Sequence, residues 1–247
     1  MKYEYIVQGI FIERPNRFIA EVMIEGVKVR AHVKNTGRCR ELLVSGATVY
    51  LTDHCNSMGS RKLRYSLIAV EKGEMLFNID SQAPNEIVGE ALSHGNLPLP
   101  GMCQPYRYRR EQVVGQSRLD FIVEDCLGRI ALLEVKGVTL EDNAHARFPD
   151  APTLRGRKHL EELEKGVVDG YLGYVVFVLQ MRGMKSFRPN DEMDPAFGSA
   201  LRRACKTGVV ALAFDCLVKP DLLMLNEPIP IELSDNLRSG YDDILGV

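Results

Sequence analysis

Two acids and an amine stand in a pattern that could do chemistry: Ser117-Arg118-Leu119-Asp120-Phe121, then Leu133-Glu134-Val135-Lys136-Gly137. Asp120 falls on the second strand of an expected hairpin. Glu134 and Lys136 fall on a third strand, beyond a turn at Gly128. Residues two apart on a strand share a face, so Glu134 and Lys136 point the same way. Asp120 joins them if the two strands pair about that turn. Leu132, Leu133 and Val135 bracket these charges, and an unpaired charge in apolar surroundings is expensive. Two readings meet that cost. In one, a carboxylate and Lys136 form a buried ion pair. In the other, Asp120 and Glu134 supply hard oxygen ligands to Mg²⁺ or Mn²⁺. Lys136 then orients or deprotonates an attacking water, or stabilises charge on a phosphoryl group.

The elements that must position these groups follow from periodicity. Ile6 to Ile12, Phe18 to Ile24, Val27 to Val33, Thr48 to Thr52, Ser66 to Glu71 and Met75 to Ile79 are short, rich in Val, Ile, Tyr and Thr, and separated by turn residues. Six such strands in about 80 residues fit a small barrel. Beyond them, Asn85 is placed to cap a helix running through Ile87, Val88 and Leu92 to Gly95. A hairpin follows, Tyr108 to Val114 and Arg118 to Val123 about Gly115-Gln116, then a strand from Ile130 to Val135. Pro152 to Leu163 and Ala196 to Ala204 read as helices, and Gly170 to Leu179 and Val209 to Phe214 as strands. Hairpin-linked strands followed by helix-linked ones predict a mixed sheet of α/β (α+β) type. The stretch from Ser234 to Asp243 reads as a polar surface tail.

At 247 residues, 45% of them apolar and 26% charged, the chain has material for a buried core, which excludes disorder throughout. No apolar run approaches the about 18 residues that span a bilayer. The polar start Met1-Lys2-Tyr3-Glu4-Tyr5 has no signal-peptide core, so the expected compartment is the cytoplasm, with no membrane partner. Six scattered cysteines form no C-x-x-C pair, against a zinc knuckle and for free thiols. The net charge of −2 is not that of a DNA-coating protein, but it is unevenly spread. Residues 1–85 hold 12 Lys and Arg against 9 Asp and Glu. Gly26 to Arg40 carries Lys28, Arg30, Lys34, Arg38 and Arg40 and no acid. A local basic surface of this kind binds phosphates or is simply a solvated face.

The D…E-x-K arrangement among these elements resembles the PD-(D/E)xK nuclease superfamily. A closer resemblance rests on Asn35-Thr36-Gly37, Arg61-Lys62, Pro84-Asn85, Ser117-Arg118-Leu119-Asp120-Phe121, Glu134-Val135-Lys136-Gly137-Val138-Thr139-Leu140, Phe148-Pro149-Asp150-Ala151-Pro152-Thr153 and Arg155-Gly156-Arg157-Lys158-His159-Leu160. Together these are similar to the sugar fermentation stimulation protein A family, from about residue 9 to residue 231. The resemblance implies a small N-terminal OB-like β-barrel, residues 1–83, followed by a mixed-sheet PD-(D/E)xK nuclease-like domain, residues 84–247. It implies DNA binding, and it carries the superfamily's catalytic pattern onto Asp120, Glu134 and Lys136. Superfamily members often add an acid from the preceding helix. Glu90 is the candidate here, with Glu86 one turn earlier, and Glu111 on the first hairpin strand competes with it.

Weaker signals surround this set. Arg155 and His159 are four apart, on one helix face, and with Lys158 they could meet a phosphate or belong to a solvated face. Asp150 and Thr153 are candidate caps for the same helix. Asn35, Thr36, Arg38 and Arg40 form either a nucleic-acid-contacting loop or a tight turn, and Arg61, Lys62 and Arg118 are further basic candidates. The expectation is a DNA-binding protein with a metal-dependent phosphodiester-hydrolysing site. The alternative is a DNA-binding regulator of sugar metabolism genes without hydrolysis, and a phosphoesterase acting on a small ester is a third option. Whether the DNA is single-stranded, double-stranded or branched is left open, as is the oligomeric state, a homodimer included.

Overall fold

The computed structural model describes residues 1–35, 37, 39–115 and 117–233. Thr36 and Arg38, the turn residue Gln116 and the stretch from Ser234 to Asp243 lie outside the described residues. The first strands are β1 (Ile6–Asn16), β2 (Ile19–Ile24), β3 (Val27–Val33), β4 (Thr48–Asp53), β5 (Tyr65–Lys72) and β6 (Met75–Asn78). Alternation decides which face is buried: Ala20 and Val22 of β2, and Val49 and Leu51 of β4, point inward. The sheet order is β3-β2-β1-β4-β5-β6, and β3 also pairs with β5 in parallel, Ala31 opposite Tyr65. That last pairing closes β1 to β5 into a five-stranded barrel and leaves β6 as a hairpin partner of β5. Gly9 is needed where β1 crosses β2: a Cβ there would stand 2.5 Å from Val22 Cγ1.

The second half runs α1 (Ala83–His94), β7 (Arg107–Val114), β8 (Ser117–Glu124), β9 (Ile130–Val138), β10 (Leu140–Asp142), β11 (His145–Phe148), α2 (Leu154–Val168), β12 (Leu172–Leu179), β13 (Ser186–Pro189), α3 (Pro195–Thr207), β14 (Val210–Lys219) and β15 (Leu222–Pro228). Six of these strands form a mixed sheet, β15-β14-β12-β9-β8-β7. Strand β12 is parallel to both β9 and β14, while β7, β8 and β9 are antiparallel. The central β12 shows why its sequence is an unbroken apolar run: Tyr174, Val176 and Val178 pack on one face with Ile87 and Val88 of α1, and Val175, Phe177 and Leu179 on the other with Leu160 and Leu163 of α2. This second core runs on into the barrel, taking in Phe11, Val22, Leu51 and Leu67. The barrel and the helix-covered sheet therefore share buried surface.

Several elements differ from the sequence expectation, β15 among them. Helix α1 begins at Ala83 with Gln82 at its N-cap, and Asn85 lies inside the first turn. Pro84 explains this, because proline fits the opening positions of a helix, where no backbone donor is needed. Thr153 is the cap of α2, its hydroxyl accepting from Gly156 N–H. Asp150 does not cap it and instead lines a cavity beside Gly37 and Gly137. Strands β10, β11 and β13 form a separate small sheet that the sequence pattern did not reveal.

The turn between β8 and β9 is tied by one carboxylate. Asp125 accepts from the backbone N–H groups of Cys103, Leu127 and Arg129 and from Arg129 Nε. Burial alone would raise its pKa, but these donors outweigh it and hold the group at about 2. The sign follows: Asp125 stabilises the fold fully above the ordinary carboxylate range, and that share is lost as pH falls toward 2. Asp125→Asn is expected to melt about 5 °C below the wild type at pH 7, with the gap closing on acidification. Thermal unfolding followed by circular dichroism across that range checks it, and a pH-independent gap would exclude this account of the turn.

Candidate metal and nucleic-acid site

Strands β8 and β9 pair from Glu124 and Ile130 up to Phe121 and Leu133, and there the ladder ends. The next residues on each strand are Asp120 and Glu134. The Asp120 side chain occupies the opening: its Oδ2 accepts from Val135 N–H at 2.8 Å, a donor the ladder no longer serves. Its Oδ1 accepts from Asn85 Nδ2 at 2.7 Å. Asn85 thus positions the acid from the first turn of α1. Burial raises the Asp120 pKa, the Glu134 charge raises it further, and the Val135 N–H, Lys136 and Asn85 offset part of this.

Glu134 is 2% exposed and His159 5% exposed. Glu134 Oε1 accepts from Lys136 Nζ at 2.5 Å and from His159 Nδ1. Burial pushes Glu134 up, but Lys136 and His159 outweigh it and hold the group below its ordinary value. Arg155 Nε donates to His159 Nε2 at 3.4 Å, so the ring proton stands on Nδ1, facing Glu134. A chain from Arg155 through His159 thereby fixes one oxygen of Glu134. The other, Oε2, is buried with no hydrogen-bond partner.

An orphaned buried carboxylate oxygen calls for an explanation. Asp120 and Glu134 are hard oxygen donors that feel one another's charge, a donor set that suits a divalent cation. Among the described residues no three His, Cys, Asp or Glu side chains form a ligand cluster. The protein therefore offers two carboxylates, with backbone carbonyls and waters left for the remaining positions, as Mg²⁺-type ions accept. His159 acts on Glu134 as an outer-shell donor acts on a metal ligand. His159→Ala is expected to weaken Mn²⁺ binding about 10- to 100-fold in a calorimetric titration, and His159→Asn to lose less. Equal affinity in all three proteins would show that His159 does not position Glu134.

The remaining sequence candidates are distributed as follows. Glu90 pairs with the Met1 ammonium. Glu86 pairs with Arg110 at 2.6 Å, and Glu111 with Arg118 at 2.8 Å. Glu86, Glu111 and Asp120 nevertheless line one cavity of about 420 Å³, together with Lys34 and Asp80. Lys34, from the barrel, donates to the fully buried Asp80 at 2.7 Å and brings a cation to this cleft. Arg155 and Lys158 are exposed on α2, while His159 is turned inward and meets no solvent phosphate.

The Asn35 loop is held from below. Arg14 donates to the carbonyls of Asn35 and Gly37 at 2.6 and 2.7 Å, and Asn35 Oδ1 accepts from Gly37 N–H at 2.7 Å. Gly37 has no room for a side chain, since a Cβ would lie 2.6 Å from Asp150 Oδ2. Arg40 shares a cavity of about 570 Å³ with Arg14 and Arg17 on the barrel. Arg61 and Lys62 are exposed beyond β4. After burial, the charges of Lys34 and Arg61 are what lower His32 and His54, so these cations act on one patch of the barrel. Sequence reasoning did not single out Arg14, Arg17, or the position of Asn85 on Asp120. Lys34 was noted only as part of a basic run.

No helix among the described residues is long and apolar enough to cross a membrane. Residues 12–79 match the family model described as the SfsA N-terminal OB domain, and residues 82–222 the model described as the sugar fermentation stimulation protein RE domain. A sugar fermentation stimulation protein homolog of Alkaliphilus oremlandii is 44% identical over 235 residues, 94% of this chain and 99% of that protein. The homolog from Clostridium botulinum is 48% identical over 228 residues, 92% of this chain and 97% of that protein. The solved structure of Pyrococcus furiosus SfsA in complex with Ca²⁺ superposes with a TM-score of 0.83 at 29% identity, covering 94% of this chain and 98% of that one.

Proposed function

The chain belongs to the sugar fermentation stimulation protein family, and on that footing we propose that it binds DNA and hydrolyses phosphodiesters at Asp120, Glu134 and Lys136. The observation that carries this reading is the end of the β8–β9 ladder. There one half-buried acid fills the split, a second, buried acid keeps an oxygen without a partner, and a lysine stands 2.5 Å from that second acid. We assign the barrel, residues 1–83, to gripping the nucleic acid and residues 84–247 to hydrolysis.

The cation we propose is Mg²⁺ or Mn²⁺, held by Asp120 and Glu134, and the Ca²⁺ of the Pyrococcus relative supports a hard divalent ion here. When bound, such an ion polarises a phosphoryl oxygen and acidifies water. Asn85 and the Val135 N–H hold Asp120 in the strand split. His159 holds Glu134 Oε1, leaving Oε2 to face the ion. Lys136 Nζ is positioned to orient the attacking water and to stabilise negative charge on the scissile phosphate. Arg40, Arg61 and Lys62 on the barrel, with Arg155 and Lys158 on α2, position the backbone of the strand. OB-folds bind oligonucleotides in this way, through a basic face. We place the protein in the cytoplasm, whose reductants return protein disulfides to thiols.

Labelled single-stranded, double-stranded and branched DNA, incubated with protein and Mn²⁺, tests the reading. Cleavage that Asp120→Ala abolishes supports it, and no cleavage of any substrate contradicts it. A second reading has its own support. Glu134 already pairs with Lys136 and accepts from His159, which suits a DNA-binding regulator that hydrolyses nothing. It predicts binding that weakens steeply with salt and survives Glu134→Ala without any cleavage.

A further inference from the structure

The cysteines divide by their surroundings. Cys39 and Cys216 are buried. Burial pushes the Cys39 thiol up to about 12, and raises Cys216 well above the ordinary thiol range. Cys205 is half-buried and is likewise pushed up to about 11. Such thiols hold almost no thiolate at neutral pH and react slowly. Cys55, Cys103 and Cys126 are exposed.

Two of the exposed three meet. Cys103 lies in the loop between α1 and β7, and Cys126 in the turn between β8 and β9. Cys126 N–H donates to the Cys103 carbonyl at 3.3 Å. Cys103 N–H donates to Asp125 Oδ2 at 3.0 Å, so the Asp125 anchor locks both main chains side by side. The Cys103 sulfur is among the groups that raise the Cys126 thiol. A disulfide spans a Cα separation of about 4.4–6.8 Å, and these two residues are neighbours across a backbone hydrogen bond. Arg129 is held by Asp125 through both Nε and Nη2, and Nη2 also reaches Cys103 Sγ at 3.4 Å. A guanidinium beside one of two adjacent exposed sulfurs is the setting of an oxidisable thiol pair.

We propose that Cys103 and Cys126 form a dithiol that reacts with peroxides and closes to an intramolecular disulfide. The Cys103 thiolate attacks one oxygen of the peroxide. The O–O bond breaks, the leaving oxygen takes the thiol's proton and departs as water, and Cys103 becomes a sulfenic acid. The Cys126 sulfur then attacks the Cys103 sulfur. The S–O bond breaks, an S–S bond forms, and a second water leaves carrying the Cys126 proton. Two thiols lose two electrons, and one hydrogen peroxide becomes two waters. Arg129 stands where it stabilises the anionic sulfur of the first step. Desolvation and the neighbouring Cys103 sulfur raise the Cys126 thiol, so Cys103, beside Arg129, is the sulfur that meets the peroxide first. This site is distinct from the acids and lysine proposed for hydrolysis, and nothing in it depends on them.

The test treats full-length reduced protein with one equivalent of hydrogen peroxide, alkylates the remaining thiols and maps peptides by mass. The expected result is a monomer that has lost two hydrogens and two free thiols, with residues 103 and 126 in one cross-linked peptide. Cys103 is expected to be consumed about tenfold faster than Cys55. Cys126→Ser should stop at a Cys103 sulfenic acid that a cyclic diketone traps, and Cys103→Ser should leave Cys126 a thiol. If Cys103→Ser fails to fold, the trapping in Cys126→Ser decides alone. Disulfides between chains or through Cys55 would overturn the proposal, as would a Cys103 that oxidises no faster than Cys55.

Discussion

Glu134→Gln is expected to lower DNA cleavage by about 10³-fold or more and to weaken Mn²⁺ binding in parallel. The isostere removes the charge but keeps the shape. Its amide oxygen can still accept from His159 Nδ1 and Lys136 Nζ, which Glu134 Oε1 serves now. The fold should therefore survive, and loss of activity will not be loss of protein. Glu134→Ala is the harsher variant, because it strands a lysine and a histidine in a buried setting. DNA affinity, which we assign to the barrel, should change little in Glu134→Gln. Electrophoretic shift, calorimetric Mn²⁺ titration and cleavage on the same preparation separate these effects. A Glu134→Gln protein that cleaves as fast as the wild type would remove Glu134 from the reaction.

Lys136→Met should separate holding the ion from using it. The lysine side chain is 12% exposed, and its amine lies against Glu134. Removing that positive charge lets Glu134 attract a cation more strongly, so Mn²⁺ affinity is expected to hold or rise. Cleavage is nevertheless expected to fall about 10²- to 10⁴-fold, the range for losing a positioned proton-handling group. Opposite movements of affinity and rate are the signature of an amine that acts on the scissile group. If Lys136 were merely the partner in a buried ion pair, Lys136→Met would lower the melting temperature and leave any cleavage rate unchanged.

The chemistry-bearing residues were more readable in the sequence than the groups that hold them. Acids and lysine at strand spacing announce themselves because charge in an apolar strand needs a reason. The barrel was equally plain, since each of its strands buries alternate residues and ends in turn chemistry. The helix start was displaced because Asn85 is a good capping residue by type, whereas Pro84 had already moved the start back to Ala83. His159 was weighed as a phosphate contact, yet the pattern for its burial was present. Gly156, His159, Leu160 and Leu163 fall at the spacing of one buried helical stripe, and all four are buried. Strands β10, β11 and β13 are three or four residues long, and β13 joins β11 from about 40 residues away in the chain. Strands so short carry too few alternations to be seen locally. The Arg14 anchor of the Asn35 loop has no periodic signature either, since it depends on where β1 passes that loop.

The most direct test of the metal reading is diffraction from crystals soaked in Mn²⁺, with the ion located by its anomalous signal. The account predicts one strong peak in the split between β8 and β9, with carboxylate oxygens of both Asp120 and Glu134 about 2.1 Å away. A peak elsewhere, or Glu134 still closed on Lys136 and His159 with no ion beside it at saturating Mn²⁺, would contradict it.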